Sequence, residues 1–159
     1  MRRKERELTD MADKLAVIEK CKVCRLAMTD GRTPYIVPLN FGYLWENGAL
    51  TLYFHGAREG MKIDILKKNP AVCFEMDCDH RLIEAEDPAG YSYVYQSIIG
   101  FGSVVFLDDP KEKAHGLNML MKHQAGREDF VFPPAILEKT CVYKVEAASF
   151  TGKRRPLPI

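Results

Sequence analysis

Asn47-Gly48-Ala49-Leu50-Thr51-Leu52-Tyr53-Phe54-His55-Gly56-Ala57-Arg58-Glu59-Gly60-Met61-Lys62-Ile63-Asp64-Ile65-Leu66 holds a tight-turn signal, a strand, a glycine-bounded loop and the start of a helix in immediate succession. Asn-Gly suits the positive φ angles of a two-residue hairpin, and Leu50–Phe54 is apolar and aromatic enough for a strand. Gly56 and Gly60 allow turns that a Cβ resists. Helical spacing begins after Gly60, with Met61 and Ile65 at i, i+4 and Ile63 and Leu66 at i, i+3, and Asn69-Pro70 stops it. A helix N-terminus leaves N–H groups unpaired and carries partial positive charge, so the loop reads as an anion cradle, with Lys62 marking the place for a phosphate. The same pattern also describes an ordinary strand-to-helix connection with a solvated lysine.

Two strands precede this unit, Val23–Thr29 and Tyr35–Leu44, joined at Asp30-Gly31. With Leu50–Phe54 they are expected to form an antiparallel meander. Before them, Asp10 caps a helix whose Met11, Leu15 and Ile18 share a face and which ends near Lys20. Downstream, Ala71–Met76 alternates as a strand, with a continuation toward Ala85 beyond the polar Asp77–His80, and Glu86–Gly90 reads as a loop. Tyr93–Leu107 is a long strand in which Gly100 and Gly102 mark a bend or a close backbone approach. Asp109-Pro110-Lys111-Glu112 supplies a cap, a proline and a glutamate for a helix reaching about Gln124, with Gly126 as its stop. A short helical turn is expected around Pro133-Pro134. In Cys141–Ala147 the residues Cys141, Tyr143, Val145 and Ala147 would face the core, and Lys153–Ile159 reads as an irregular tail. About six strands linked by hairpins rather than βαβ units predict a small antiparallel barrel with short helices on its rim.

A chain of 159 residues is expected to form one domain over 1–159, burying roughly 70% of its unfolded surface without staples. A net charge of +1, with basic clusters only at Arg2-Arg3-Lys4 and Lys153-Arg154-Arg155, gives no field for nucleic acid. No signal-peptide pattern opens the chain, and its longest apolar run, about Ser97–Leu107, is too short for a bilayer, so a soluble cytoplasmic protein is expected. Five cysteines in such a chain read as reduced core thiols. A zinc site from Cys21, Cys24, Cys78 and His80 lacks a second Cys-x2-Cys or His-x3-His pair, and no metal is expected.

Gly100-Phe101-Gly102 is not a dinucleotide fingerprint, because a strand follows and no third glycine does. Pro38 inside a strand marks an edge or bulge where a flat ligand can meet backbone. The Asn40 amide suits the alternating donors and acceptors on a flavin or nucleobase rim, or else fills the gap left by Pro38. His55 stands at the mouth of the cradle, as a proton donor or a substrate ligand, or else as a rim histidine held by hydrogen bonds.

The ordered series Cys24–Ala27, Pro34–Phe41, Leu52–Ala57, Gly60-Met61-Lys62, Asn69–Phe74 and Tyr95–Gly102 resembles the pyridoxamine 5′-phosphate oxidase-like superfamily, and more narrowly its 5-nitroimidazole-resistance (Nim-type) branch. The resemblance implies a split β-barrel, here six-stranded, that binds FMN in clefts between the two subunits of a homodimer. It implies that Val37, Pro38, Leu39 and Asn40 line the flavin ring. His55, Gly56, Ala57 and Lys62 would hold or border the phosphate end, and Ser97, Ile98, Ile99 and Gly100 would lie along the cofactor. It also places His55 beside the flavin as the candidate catalytic residue. The function implied is an FMN-dependent reductase passing electrons to a small flat acceptor such as a nitroimidazole. The alternatives are a non-catalytic flavin- or haem-binding module and a zinc-stabilised interaction protein.

Overall fold

The computed structural model describes residues 3–156. The chain runs β1 (Glu7–Leu8), α1 (Met11–Lys20), β2 (Val23–Thr29), β3 (Pro34–Asn40), β4 (Gly42–Glu46), β5 (Ala49–Gly56), α2 (Met61–Lys68), β6 (Ala71–Ile83), β7 (Ser92–Leu107), α3 (Pro110–Ala125), α4 (Pro134–Lys139) and β8 (Cys141–Arg155). Every pairing is antiparallel, in the order β3-β2-β6-β7-β8-β5-β4, with β1 on β8. There are thus eight strands rather than the expected six, and the sheet is mainly β with a few helices but does not close.

The expected meander is corrected at Phe41. The segment read as one strand, Tyr35–Leu44, is two: β3 pairs with β2 and β4 pairs with β5, so neighbours in sequence become opposite ends of the sheet. Phe41, between them, is fully buried, and Gly42 lies so close to α3 that a Cβ there would collide with the Met119 and Leu120 backbone. His123 places Nδ1 2.8 Å from the Phe41 carbonyl oxygen, and Gln124 Nε2 donates to the same oxygen at 2.9 Å. The turn at Asn47-Gly48 has the two positive φ angles, 52° and 79°, that its sequence predicts.

The last strand also exceeds its prediction. Lys153–Arg155 are not an irregular tail but the end of β8, paired with Tyr95–Ser97 of β7, and residues 157–159 lie outside the described residues. Arg154 is tied to Gln96 at 2.6 Å and to Asp13 at 3.3 Å, so that basic cluster is partly structural. Gly100 and Gly102 mark both features offered for them. The β7–β8 register shifts between Phe101 and Gly102, and Cβ atoms would strike Phe74 at Gly100 and the Glu146 carbonyl at Gly102. The main core gathers Leu26, Phe41, Phe54, Ile63, Phe74, Ile98, Tyr143 and Val145, while a second cluster of Tyr53, Leu107, Leu117 and Val142 lies beneath α3. Tyr143 and Val145 face the main core as expected; Val142, on the opposite face, is buried too because α3 covers it.

Capping follows the sequence closely. Asp10 accepts from Ala12 N at 2.9 Å, and Asp109 accepts from Lys111 N and Glu112 N at 2.9 and 3.1 Å. Gly126 ends α3 at φ 71°. Replacing Asp109 by Ala should cost about 1 kcal/mol of stability in urea unfolding. Gly42→Ala should cost roughly 1–3 kcal/mol, because two backbones must separate; wild-type stability in that variant would contradict the close packing of α3 on β4.

Candidate functional site

Strand β5 ends with His55 and Gly56, paired to Val142 and Cys141 of β8, and the chain then loops into α2. The loop turns at Gly60, with φ 121°, and no side chain caps the helix there. Ile63, Ile65 and Leu66 anchor α2 in the core, which fixes where its first turn points. From that turn Lys62 reaches back over the barrel end, setting Nζ 5.6 Å from the centroid of the Tyr143 ring. A Cβ on Gly56 would lie 3.3 Å from that amine, so the glycine leaves it room.

Lys62 is half-buried, and none of the ion pairs among the described residues includes it. Burial draws its ammonium below the ordinary 10.5, as expected for a cation that has lost water without gaining a counter-charge. Under it, Tyr143 is fully buried with its hydroxyl unpartnered, and burial pushes that phenol well up. His55 is exposed; partial burial first, and the Lys62 charge second, hold it below the ordinary 6.5. An anion at this end would therefore meet one unpaired amine, the uncapped N–H groups of a helix, and a side-chain-free backbone at Gly56. These features fit a phosphate.

The remaining predicted residues divide by face. Register places Pro38, Arg25, Glu75, Ile99 and Thr151 in one row across the outer surface of the sheet, and Ile36, Ala27, Cys73, Phe101 and Ser149 in the next. Asn40 and Ser97 extend the same face beside Pro38 and Ile99. Val37 and Leu39 turn inward against the core, and Ile98 and Gly100 are buried, so these four could meet a ligand only through backbone. The Asn40 amide lies 3.4 Å from the Lys22 carbonyl and 3.5 Å from Gln124 Oε1, long contacts that leave it accessible. Thus the structure brings His55, Gly56, Ala57 and Lys62 together at one barrel end. It sets Pro38, Asn40, Ser97 and Ile99 on one sheet face, with two strands between them.

Sequence reasoning missed what lies between. Arg25 bonds Glu75 at 3.0 Å and also Asp77, and His80 contacts Asp77 at 2.6 Å, a polar belt across the middle of this face. The clue lay in the strict alternation of Arg25, Glu75 and Asp77 with core residues. Ile36, Ile99, Phe101 and Val105 are exposed around it, at 60, 45, 57 and 38%. No group of three or more His, Cys, Asp or Glu suited to a metal occurs among the described residues. Cys21 and Cys24 are buried free thiols, and burial pushes both up. No helix of the described chain is long and apolar enough to cross a membrane.

Comparison with known proteins supports the same architecture. Residues 10–154 match the family model described as pyridoxamine 5′-phosphate oxidase, whereas no curated protein matches. A solved structure from Bacteroides thetaiotaomicron, described as a candidate 5-nitroimidazole antibiotic resistance protein, is 32% identical; the match covers 93% of this chain and 86% of that one, with a TM-score of 0.80. Two others are similar in fold. The flavocytochrome Anf3 from Azotobacter vinelandii has 19% identity and a TM-score of 0.81, over 99% of this chain and 73% of that one. An FAD and heme binding protein from Mycobacterium smegmatis has 15% identity and a TM-score of 0.82, over 97% of this chain and 76% of that one. The matched span takes in α1, all the long strands and α3, and with the 32% identical relative it shows that this chain belongs to the pyridoxamine 5′-phosphate oxidase family, on its 5-nitroimidazole-resistance-like branch.

Proposed function

We propose that the chain binds FMN between the two subunits of a homodimer and passes electrons from the reduced flavin to a small flat acceptor such as a nitroimidazole. The observation that carries this reading is the half-buried Lys62 amine, without an ion pair among the described residues, at an uncapped helix start beside Gly56. A flavin's phosphate there supplies the missing counter-charge, while the Pro38–Asn40 edge meets the polar rim of the ring. The named flavin ligands of two fold relatives support a flavin. FMN is preferred because its one phosphate matches the single Lys62 amine beside Gly56.

When bound, the flavin supplies the electrons. The protein's part is to hold the ring, keep the phosphate end fixed and offer a proton. Asn40 would present its amide to the ring edge, the Lys62 ammonium would neutralise the phosphate, and His55, exposed at the cradle mouth, would give or share a proton with the acceptor. The apolar patch of Ile36, Ile99 and Phe101 suits burial against a second copy, which would close a cleft that one chain leaves open.

Lys62→Ala should weaken FMN retention on the order of 10- to 100-fold at low salt, since it removes one charge-assisted contact; unchanged affinity would argue against the cradle. Reduced protein mixed with a nitroimidazole should recover its oxidised flavin absorbance faster than free reduced FMN does. No acceleration would mark a binding module without this activity. His55→Ala should keep FMN yet slow that recovery, on the order of 100-fold if the histidine is the proton donor. The sign with pH follows from a pKa held below 6.5: the ring is neutral at pH 7, so recovery should quicken as pH falls through the lowered pKa and stay flat in the variant. Phe101→Glu should yield a monomer on sizing with reduced FMN occupancy, whereas full occupancy in a monomer would remove the shared cleft.

A further inference from the structure

A cavity of about 310 Å³, which Lys62 does not line, opens between Ile63 and Lys67 of α2, Leu107 at the end of β7 with Asp108 after it, Lys113 of α3 and the start of β8 at Cys141. Arg58, from the loop before α2, forms part of its wall. Three cations thus face a space with one carboxylate on its wall, Asp108. None of Arg58, Lys67 and Lys113 takes part in an ion pair among the described residues.

Lys113 is the unusual member. It is 9% exposed, and its ammonium donates to two neutral carbonyls, Leu137 O at 3.0 Å and Thr140 O at 3.2 Å. Those bonds satisfy two of three N–H groups and none of the charge. A buried ammonium normally has an anionic partner, because carbonyl dipoles repay only part of the lost hydration. Arg58 spends one N–H on Glu138 O at 2.9 Å, which fixes the guanidinium and leaves other donors unused. Lys67 has no hydrogen bond to its side chain among the described residues, and no carboxylate contacts it. The Cys141 thiol registers the whole cluster: burial pushes it up, and Lys113, Lys62, Lys67 and Arg58 all pull against that.

We infer that this cavity is a second anion site, lined by residues other than Lys62 and neighbouring the flavin cradle at Cys141, built to take a small phosphate-bearing molecule with its phosphate between Arg58, Lys67 and Lys113. The volume admits a phosphate ester of modest size and excludes a folded partner. Charge favours a phosphate over a single carboxylate, since two positive charges remain after Asp108 is counted against three cations. The fork of Arg58 supplies the paired donors that phosphate oxygens accept. The inference stands on the cation cluster and does not need the flavin reading to hold.

Calorimetric titration of inorganic pyrophosphate into the full chain, at constant ionic strength and in saturating FMN, tests it. The wild type should bind one pyrophosphate per chain with flavin in place. Arg58→Gln and Lys67→Gln, both at exposed positions, should each weaken binding about tenfold. Lys113→Met should abolish it; where that variant fails to fold, the two surface variants carry the test. No pyrophosphate binding, binding lost on FMN saturation, or binding indifferent to Arg58 and Lys67 would overturn the site. A chain that takes up no FMN by its visible absorbance, yet binds pyrophosphate with this dependence, would contradict the flavin reading and support this one.

Discussion

The carbonyl oxygen of Phe41 is held from two sides of one helix turn, by His123 and by Gln124, and the course of the sheet depends on it. Without that hold, β3 and β4 would be one strand running on across a flat meander. With it, the chain bends at a buried aromatic ring, β4 leaves to pair with β5, and the sheet's two ends lie one residue apart in sequence without pairing. His123 also sets Nε2 3.2 Å from the Glu19 carbonyl, so α1, α3 and the bend meet at one imidazole. Lys22 closes the same knot, donating to the His123 carbonyl at 2.7 Å. Fixing this corner fixes the direction of Pro38 and Asn40, which are otherwise on a terminal strand free to fray.

Charge is distributed unevenly over this frame. At the corner and on the outer face, cations meet carboxylates or carbonyls: Arg25 with Glu75 and Asp77, Lys20 with Asp79, Arg154 with Asp13. At the end where β5 and β8 pass under α2, Lys62, Arg58, Lys67 and Lys113 gather without carboxylate partners among the described residues, two of them partly or largely out of water. Lys62 and Lys113, drawn out of water without a carboxylate, carry a desolvation cost that a bound anion would offset. That imbalance favours binding over a purely architectural role for this end of the barrel.

Much of this was legible in the residues. The caps at Asp10 and Asp109, the stop at Gly126 and the positive φ at Asn47 and Gly48 follow from side-chain chemistry within a few residues, so local sequence suffices for them. The strand, loop and helix around Gly56 and Gly60 were legible for the same reason. The break at Phe41 was not, because Pro38, Asn40 and Gly42 weaken Tyr35–Leu44 without saying where it bends, and the contacts that bend it come from Met119, Leu120 and His123, some eighty residues away in the chain. The long β8 was hidden by its basic end, since Lys153-Arg154-Arg155 reads as solvated until Gln96 and Asp13 are brought to it. Lys113 was unreadable as a buried cation; on the helix pattern it is one more surface lysine.

The central claim is that the Lys62 end of the barrel holds the phosphate of a flavin. Incubating the purified chain with FMN, removing unbound flavin by gel filtration and recording the visible spectrum tests it most directly. The account predicts a yellow protein that keeps about one FMN per chain and gives up far more riboflavin than FMN, because riboflavin lacks the phosphate. A colourless protein, or one that keeps riboflavin as firmly as FMN, would contradict it.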